Sequence, residues 1–353
     1  MSLLRLNSRF PVCRHWLRVK SPGTAHTRWY STLRPRFSRL PLLGAVTVLT
    51  TGACLYFFLP DASRSAPTFD DQPLSPTHFT CARLVSSEAC GEGFKLLELA
   101  IPPRLLPPSD SAFPPIWSVF IKDDDIQVER PYTPLAGISD TGRMQFWIKK
   151  YPDGEVGRWL HSKACGDQIE LRGPLITWRW KDDEWDDVVM VSGGTGITPF
   201  IQLFHSIISQ ECKSQKTRFT LLHSSPRVSE LPPPQILGPL RQFSQDHPCR
   251  FRVSVHVDSL PDARHAASSI KVGRIGKKDI EHALSDNDSR PWWKQWFTAA
   301  PPNIDNRKIL FLVCGPNPMV TAIAGPYGRN LSQGQIGGIL KELGATKEHV
   351  WKL

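Results

Sequence analysis

Val188-Val189-Met190-Val191-Ser192-Gly193-Gly194-Thr195-Gly196-Ile197-Thr198-Pro199-Phe200, "VVMVSGGTGITPF", runs from four apolar residues into a small-residue cluster and on to a Thr-Pro pair. That order reads as a buried strand, a tight turn and a helix start. Such a turn leaves backbone N–H groups free at the positive end of a helix dipole, a setting that suits an anion, most often a phosphate. Neither standard phosphate fingerprint fits: the lysine of GxxxxGK[ST] is missing, and the glycines lack the GxGxxG spacing. Taken alone, the loop is as readily a strand, turn and helix with no ligand. The rest of the chain has to decide.

The chain has 353 residues, enough for one large or two ordinary domains, and a formal net charge of +10. That charge is not spread evenly. Residues 1–60 hold nine basic residues and no acidic one, which leaves 34 basic against 33 acidic in the remainder, a net of +1. The remainder is therefore nearly neutral and gives no support to nucleic-acid binding.

The basic leader, rich in Arg with Ser and Thr, has the composition of a mitochondrial transit peptide. "RWYS" (Arg28–Ser31) resembles a processing site after Tyr30, so residues 1–30 are read as that leader. Leu40 to Leu59, "LPLLGAVTVLTTGACLYFFL", is a stretch of 20 residues without a charge. At ~1.5 Å per residue a helix of that length reaches ~30 Å, one membrane crossing. Arg34, Arg36 and Arg39 flank one end only, which orients the leader side to the matrix if the inner membrane is the host, and the bulk to the intermembrane space. A buried helix of the main domain is the alternative, and an outer-membrane anchor is the alternative location. Residues 60–76, rich in Pro, Ser and Asp, read as a tether.

After the tether the texture is that of short strands. "FTCARLVSSEA", "FKLLELAIP", "WSVFIKD", "MQFWIKKY" and "QIELRGP" predict a small antiparallel barrel over residues 77–180. From about residue 187 to 353 strands alternate with helices: "VVMVS", a helix about 199–214, "RFTLLHS", a helix about 234–246, "RFRVSVHV", "KILFLVCG", then a helix near 334–343. That pattern predicts a parallel α/β domain closed by a last strand. None of the eight cysteines forms a CxxC or sits at zinc spacing, so no metal site is expected. His161 and His223 are read as ordinary polar residues. Trp178, Trp180 and Trp185, and Trp292, Trp293 and Trp296 in a long insertion, are read as core packing, with a partner or membrane contact as the alternative.

Three further motifs follow an informative order. Arg130-Pro131-Tyr132-Thr133-Pro134 offers a guanidinium fork for a diphosphate, a flat aromatic face and a hydroxyl. Lys149 to Leu160, "KKYPDGEVGRWL", places Gly154, Val156 and Gly157 at a turn before a short helix, another candidate anion nest. Cys314-Gly315-Pro316-Asn317-Pro318-Met319 follows an apolar strand, where an open α/β sheet presents groups to a ligand. Each alone is as well read as ordinary structure.

Taken in order with Leu171–Pro174 ("LRGP"), these motifs resemble the ferredoxin-reductase-type flavoproteins, the cytochrome b5 reductase branch in particular, over residues 77–353. The resemblance implies an FAD on the barrel and a nicotinamide dinucleotide on the α/β domain, NADH with NADPH as a second candidate. It implies that Arg130, Pro131, Tyr132 and Thr133 hold the flavin and its diphosphate, and that Lys149, Val156 and Gly157 line its phosphates. Gly193, Gly194, Thr195, Gly196 and Thr198, with Cys314, Gly315, Pro316 and Met319, would hold the nucleotide. Thr133 and Cys314 would stand nearest the reaction. Two departures stand out: the family usually has Ser where Gly157 stands, and its C-terminal aromatic is here Trp351, followed by two more residues. After "RFTLLH" no acidic residue is seen to hold a ribose 2′-hydroxyl, and Ser224, Ser225 and Arg227 would tolerate a 2′-phosphate.

With no built-in acceptor such as an iron–sulfur or CxxCH set, electrons would pass to a separate haem or small haem protein. The leader, anchor, tether and long tail resemble the fungal mitochondrial flavoproteins that assist haem attachment to cytochrome c, which implies contact with that machinery.

Overall fold

The computed structural model describes residues 66–107, 113–125, 127–176, 178–259, 270–285, 307–329 and 332–353. All of them fall in one compact unit, Ala62–Leu353. Among the described residues no helix is long and apolar enough to cross a membrane. The leader, the apolar stretch Leu40–Leu59, and Trp292, Trp293 and Trp296 lie outside the described residues.

The first half is a seven-stranded sheet of β1 (Thr68–Phe69), β2 (Phe79–Ala89), β3 (Phe94–Ala100), β4 (Ser118–Lys122), β5 (Glu129–Tyr132), β6 (Arg143–Lys149) and β7 (Gln168–Leu175). Its hydrogen-bonded order is β5-β4-β7-β2-β3-β6, antiparallel throughout, with β1 added in parallel to β2. The alternation seen in the sequence has its expected cause. Leu84, Leu97, Leu99, Val119, Ile121, Met144, Phe146, Ile169 and Leu171 enter one core while their neighbours face out. Helix α1 (Glu155–Ser162) plugs that core with Val156 and Leu160.

The expected barrel is not fully closed by hydrogen bonds. Among the described residues the two end strands, β5 and β6, share no ladder. This open seam carries the Arg130–Thr133 segment on one side and Lys149 on the other.

The second half is a six-stranded sheet of β8 (Asp187–Gly193), β9 (Arg218–Ser225), β10 (Phe251–Val257), β11 (Ile270–Val272), β12 (Ile309–Cys314) and β13 (Val350–Lys352). The order is β11-β10-β9-β8-β12-β13, and every pairing is parallel. All seven residues of β8 are buried, as a strand covered on both faces requires. The chain moves outward from β8 to β11 and then returns to β8's other side as β12, which makes the carboxyl ends of β8 and β12 the topological switch point. Helices α2 (Thr198–Leu203), α3 (Pro234–Asp246), α4 (Lys277–Leu284), α5 (Asn317–Ala324) and α6 (Gly338–Glu342) complete the unit.

Two expected helices are shorter. The one predicted over 199–214 is α2 plus a single π turn, Phe204–Ile208. Arg250 is the reason. Its guanidinium donates to the carbonyls of Ile208 (2.8 Å), Ile207 (3.2 Å), Gln210 (2.9 Å) and Lys213 (2.7 Å), which caps the helix and wraps the following turn around one cation. The helix expected near 334–343 is only α6, because Gly334 and Gly338 take positive φ and pack against backbone atoms. Trp178, Trp180 and Trp185 pack against the core, and Trp180 Nε1 donates to Asp182 (2.7 Å) and Ser214 (3.1 Å).

A buried carboxylate ties the amino ends of three adjacent strands. Asp187 at the start of β8 pairs with Arg218 at the start of β9 (2.8 Å) and with Arg307 just before β12 (3.1 Å). Removing one partner of such a group strands buried charge, so Asp187→Ala is expected to cost ~3–5 kcal/mol. Urea titration checks this: the midpoint should fall with the slope unchanged. A midpoint within error of wild type would show that the pairs add no stability.

Candidate functional site

A cleft of about 930 Å³ opens where the β5–β6 seam meets the switch point of the parallel sheet. That volume is in the range that takes cofactors.

On the first side, β5 presents Arg130, Pro131, Tyr132 and Thr133 to the cleft. The strand is held in place by Arg172 of the LRGP run. Its guanidinium makes two bonds to Glu129 (3.0 and 2.6 Å), donates to Pro76 O (2.8 Å) and lies over the Phe120 ring at 4.5 Å. Arg172 therefore staples the strand that displays Arg130. Arg130 itself is 57% exposed, bonded to the Glu129 carbonyl (2.9 Å) and 3.5 Å from Glu155, so its fork can turn to an incoming anion. Burial pushes the Tyr132 phenol up to about 12, which keeps it neutral. Val156 and Gly157 of α1 line the same wall. A Cβ at Gly157 would stand 3.1 Å from Lys149 O and 3.9 Å from the Tyr132 hydroxyl. The missing Ser hydroxyl thus has a steric counterpart: this helix sits close against the seam.

Lys149 lines the cleft, yet its ammonium is already engaged. It pairs with Glu230, beyond β9, and lies 5.2 and 5.3 Å from the Phe94 and Tyr151 rings. Glu230 also accepts from Arg227 Nε at 2.9 Å. Burial opposes ionisation of Glu230, but the two cations outweigh it and hold the carboxyl below its usual range. Sequence reading saw no acidic residue in this loop. Glu230 is there, three positions past Arg227.

On the second side, Gly193 ends β8, a tight turn spans Gly194–Ile197, and α2 begins at Thr198. The loops after β8 and β12 touch backbone to backbone. A Cβ at Gly196 would overlap the Cys314 carbonyl, one at Gly193 would stand 2.6 Å from Met319 Sδ, and one at Gly315 3.0 Å from Gly193 N. Gly194 differs: its φ is +53° and nothing lies near its Cβ position. Thr198 Oγ1 donates to Thr195 O at 3.1 Å, so that hydroxyl serves the turn. Because α2 is only six residues long, the N–H groups of the turn count for more here than a helix dipole.

The cleft gathers Arg130, Pro131, Tyr132, Thr133, Lys149, Val156, Gly157, Gly193, Thr195, Gly196, Thr198, Cys314, Gly315, Pro316 and Trp351. Two residues expected there do not line it: Gly194 lies outside, and Met319 packs beneath Gly193. Burial raises the Cys314 thiol to about 12, so it is a protonated thiol near neutral pH and not a thiolate. His223, fully buried, is pushed down to about 3 by burial and then by His256, and bonds to Ser192 (2.9 Å) and Ser225 (3.3 Å) as a neutral core group. Sequence reading missed Tyr151, Tyr327 and Gln333, which also line the cleft.

The glycine contacts and exposed guanidinium suit two nucleotide cofactors, and the comparisons agree. An oxidoreductase FAD-binding domain matches residues 116–180, and an oxidoreductase NAD-binding domain matches residues 190–325. The NADH-cytochrome b5 reductase 2-B of Vanderwaltozyma polyspora is 32% identical over 224 residues, covering 64% of this chain and 66% of that protein. The NADH-cytochrome b5 reductase 2 of Mycosarcoma maydis is 32% identical over 235 residues, 66% of this chain and 59% of that one. Both alignments thus span less than two thirds of these relatives' length. The namesake in Ajellomyces capsulatus is 27% identical over 349 residues, covering 96% and 99%. The crystal structure of the cytochrome b5 reductase domain of Ulva prolifera nitrate reductase superposes with a TM-score of 0.57 at 19% identity, covering 80% of this chain and 100% of that one, which speaks to fold alone. The chain belongs to the oxidoreductases that join an FAD-binding to an NAD-binding domain, and its homologues are NADH-cytochrome b5 reductases.

Proposed function

We propose that this chain is a flavin-dependent reductase that takes electrons from NADH and passes them to a haem protein. The observation that carries this reading is the single cleft into which both β5, with its arginine, and the carboxyl ends of β8 and β12 open. Bound FAD would accept a hydride and release electrons one at a time, which joins a two-electron donor to a one-electron haem acceptor. The protein's share is placement. Arg130 offers a diphosphate counter-charge, Tyr132 and Thr133 present a neutral ring and a hydroxyl, and the glycine contacts let phosphates approach backbone N–H groups. Arg227 is paired with Glu230, so a ribose 2′-phosphate would meet a carboxylate there, which favours NADH over NADPH.

The purified full chain should be yellow, and NADH should bleach it under nitrogen faster than NADPH does. Colourless protein would leave an assembly factor that binds haem or its partners without turnover. Arg130→Ala should weaken FAD retention by ~1.5–3 kcal/mol, the scale of a hydrogen bond to a charged group. Full flavin occupancy after dialysis of that variant would remove Arg130 from the diphosphate site.

The glycines give a sharper test of the nucleotide side. Gly196→Ala should drive the Cys314 carbonyl away, move both loops and raise the NADH Michaelis constant by roughly tenfold or more, with flavin content unchanged. Gly194→Ala meets open space and should cost only ~1 kcal/mol of backbone strain. Equal effects from the two variants would contradict this account.

The finer reading concerns place. The basic leader and the stretch Leu40–Leu59 support a mitochondrial inner-membrane anchor with the reductase in the intermembrane space. There it would keep haem iron ferrous for thioether formation on apocytochrome c. The relatives' names favour a cytochrome b5-type acceptor, for which an outer-membrane anchor facing the cytosol serves equally. Protease added to intact mitochondria separates the two. The inner-membrane reading expects digestion only after the outer membrane is ruptured.

A further inference from the structure

The tail after α5 is long, and its residues spend their polar groups on one short strand. β13 is the edge strand of the parallel sheet; one side pairs with β12, with Trp351 opposite Leu312. A free edge would leave the peptide groups of Lys352 to solvent. Instead the Gln333 side chain takes both: Gln333 Oε1 accepts from Lys352 N–H (2.7 Å), and Nε2 donates to Lys352 O (2.9 Å). The planar amide acts as a one-residue strand. Two more ties run the same way. The Tyr327 hydroxyl donates to Leu353 O (2.7 Å), and the buried Lys352 ammonium reaches back to Pro326 O (2.6 Å) and Gln335 O (3.3 Å). Directly before the two tied residues stands Trp351, which lines the cleft and packs on the core that joins the two sheets.

We propose that Gln333 is a positioning residue: its amide clamps β13 and so fixes the Trp351 wall against which the nicotinamide nucleotide docks. This rests on the reductase reading for its ligand, but the clamp itself does not.

Without the Gln333 bonds the free edge of β13 keeps only the Tyr327 and Lys352 ties, the indole gains room to move, and each bound nucleotide would then have to order it. Loosening the clamp therefore removes binding without touching any group at the reacting atoms. Flavin contacts on β5 and α1 lie across the cleft and should not change.

Gln333→Met keeps the side chain's length and removes both hydrogen bonds, which tests the amide apart from its bulk. Hydrogen exchange at the Lys352 amide should speed up by about tenfold or more, since its acceptor is gone. The NADH Michaelis constant should rise by about tenfold, with kcat within about twofold and the same FAD content. In a Trp351→Ala background, Gln333→Met should add nothing further, because both changes act on one wall. Multiplying effects in the double variant, an unchanged Michaelis constant, or fast exchange at wild-type affinity would each overturn the proposal. If the wild-type chain held no flavin and bound no NADH, the reductase reading would fall, whereas slow Lys352 exchange would still report an intact clamp.

Discussion

Everything at the cleft depends on how closely two loops can approach. The loops after β8 and β12 meet at Gly193, Gly196 and Gly315, where an added Cβ would strike backbone or Met319. Only with hydrogen at those positions do the two strand ends form one continuous surface of peptide groups. The open parallel sheet dictates where this happens, because reversal of strand order at β8 and β12 leaves a crevice at their carboxyl ends. The sheet supplies the crevice, and the glycines make its floor.

A second constraint joins the two sheets. Phe94, Leu96, Ile116, Leu135 and Trp147 from the antiparallel half pack into the same core as Met190, Phe200, Leu221 and Leu312 from the parallel half. Polar ties reinforce that seam: Gln202 Oε1 of α2 accepts from Trp117 N at 2.7 Å, and Lys149 pairs with Glu230. A shared apolar core of this extent is far harder to open than a single ion pair. The relative placement of the two cofactor-binding walls is thus set by packing, and the ion pair at the rim tunes what the cleft presents.

Much of this was legible in the sequence because local rules governed it. Phe79–Ala89 alternates and is β2 over that span; Pro234–Asp246 has its Pro start and is α3 to the residue. The cleft motifs were legible since each couples a strand end to small residues. What stayed hidden was decided across long separations. α2 stops early because Arg250, 42 residues beyond Ile208, captures its carbonyls. The β5–β6 seam opens because register leaves those two strands at opposite ends of one path. Glu230 escaped notice because its partner Lys149 lies 81 residues away. Met319 and Gly194 do not line the cleft, since motif membership does not say which residues of a loop face it.

The charge pattern of the cleft bears on turnover. Of the cations that line it, Lys149 is neutralised by Glu230 and the Lys352 ammonium is spent on the carbonyls of Pro326 and Gln335, while Arg130 stays exposed with a 3.5 Å contact to Glu155. The nucleotide side therefore relies mainly on backbone N–H groups, and the cation freest to turn to a ligand stands on the flavin side. That division fits the lifetimes the two ligands need. A resident cofactor gains from a charged fork that slows its escape, whereas a nucleotide exchanged at every cycle is better held by many weak bonds that let go together. A net positive cleft floor would tighten the spent nucleotide as much as the fresh one, since both carry the same phosphates, and would lower the Michaelis constant without speeding the reaction.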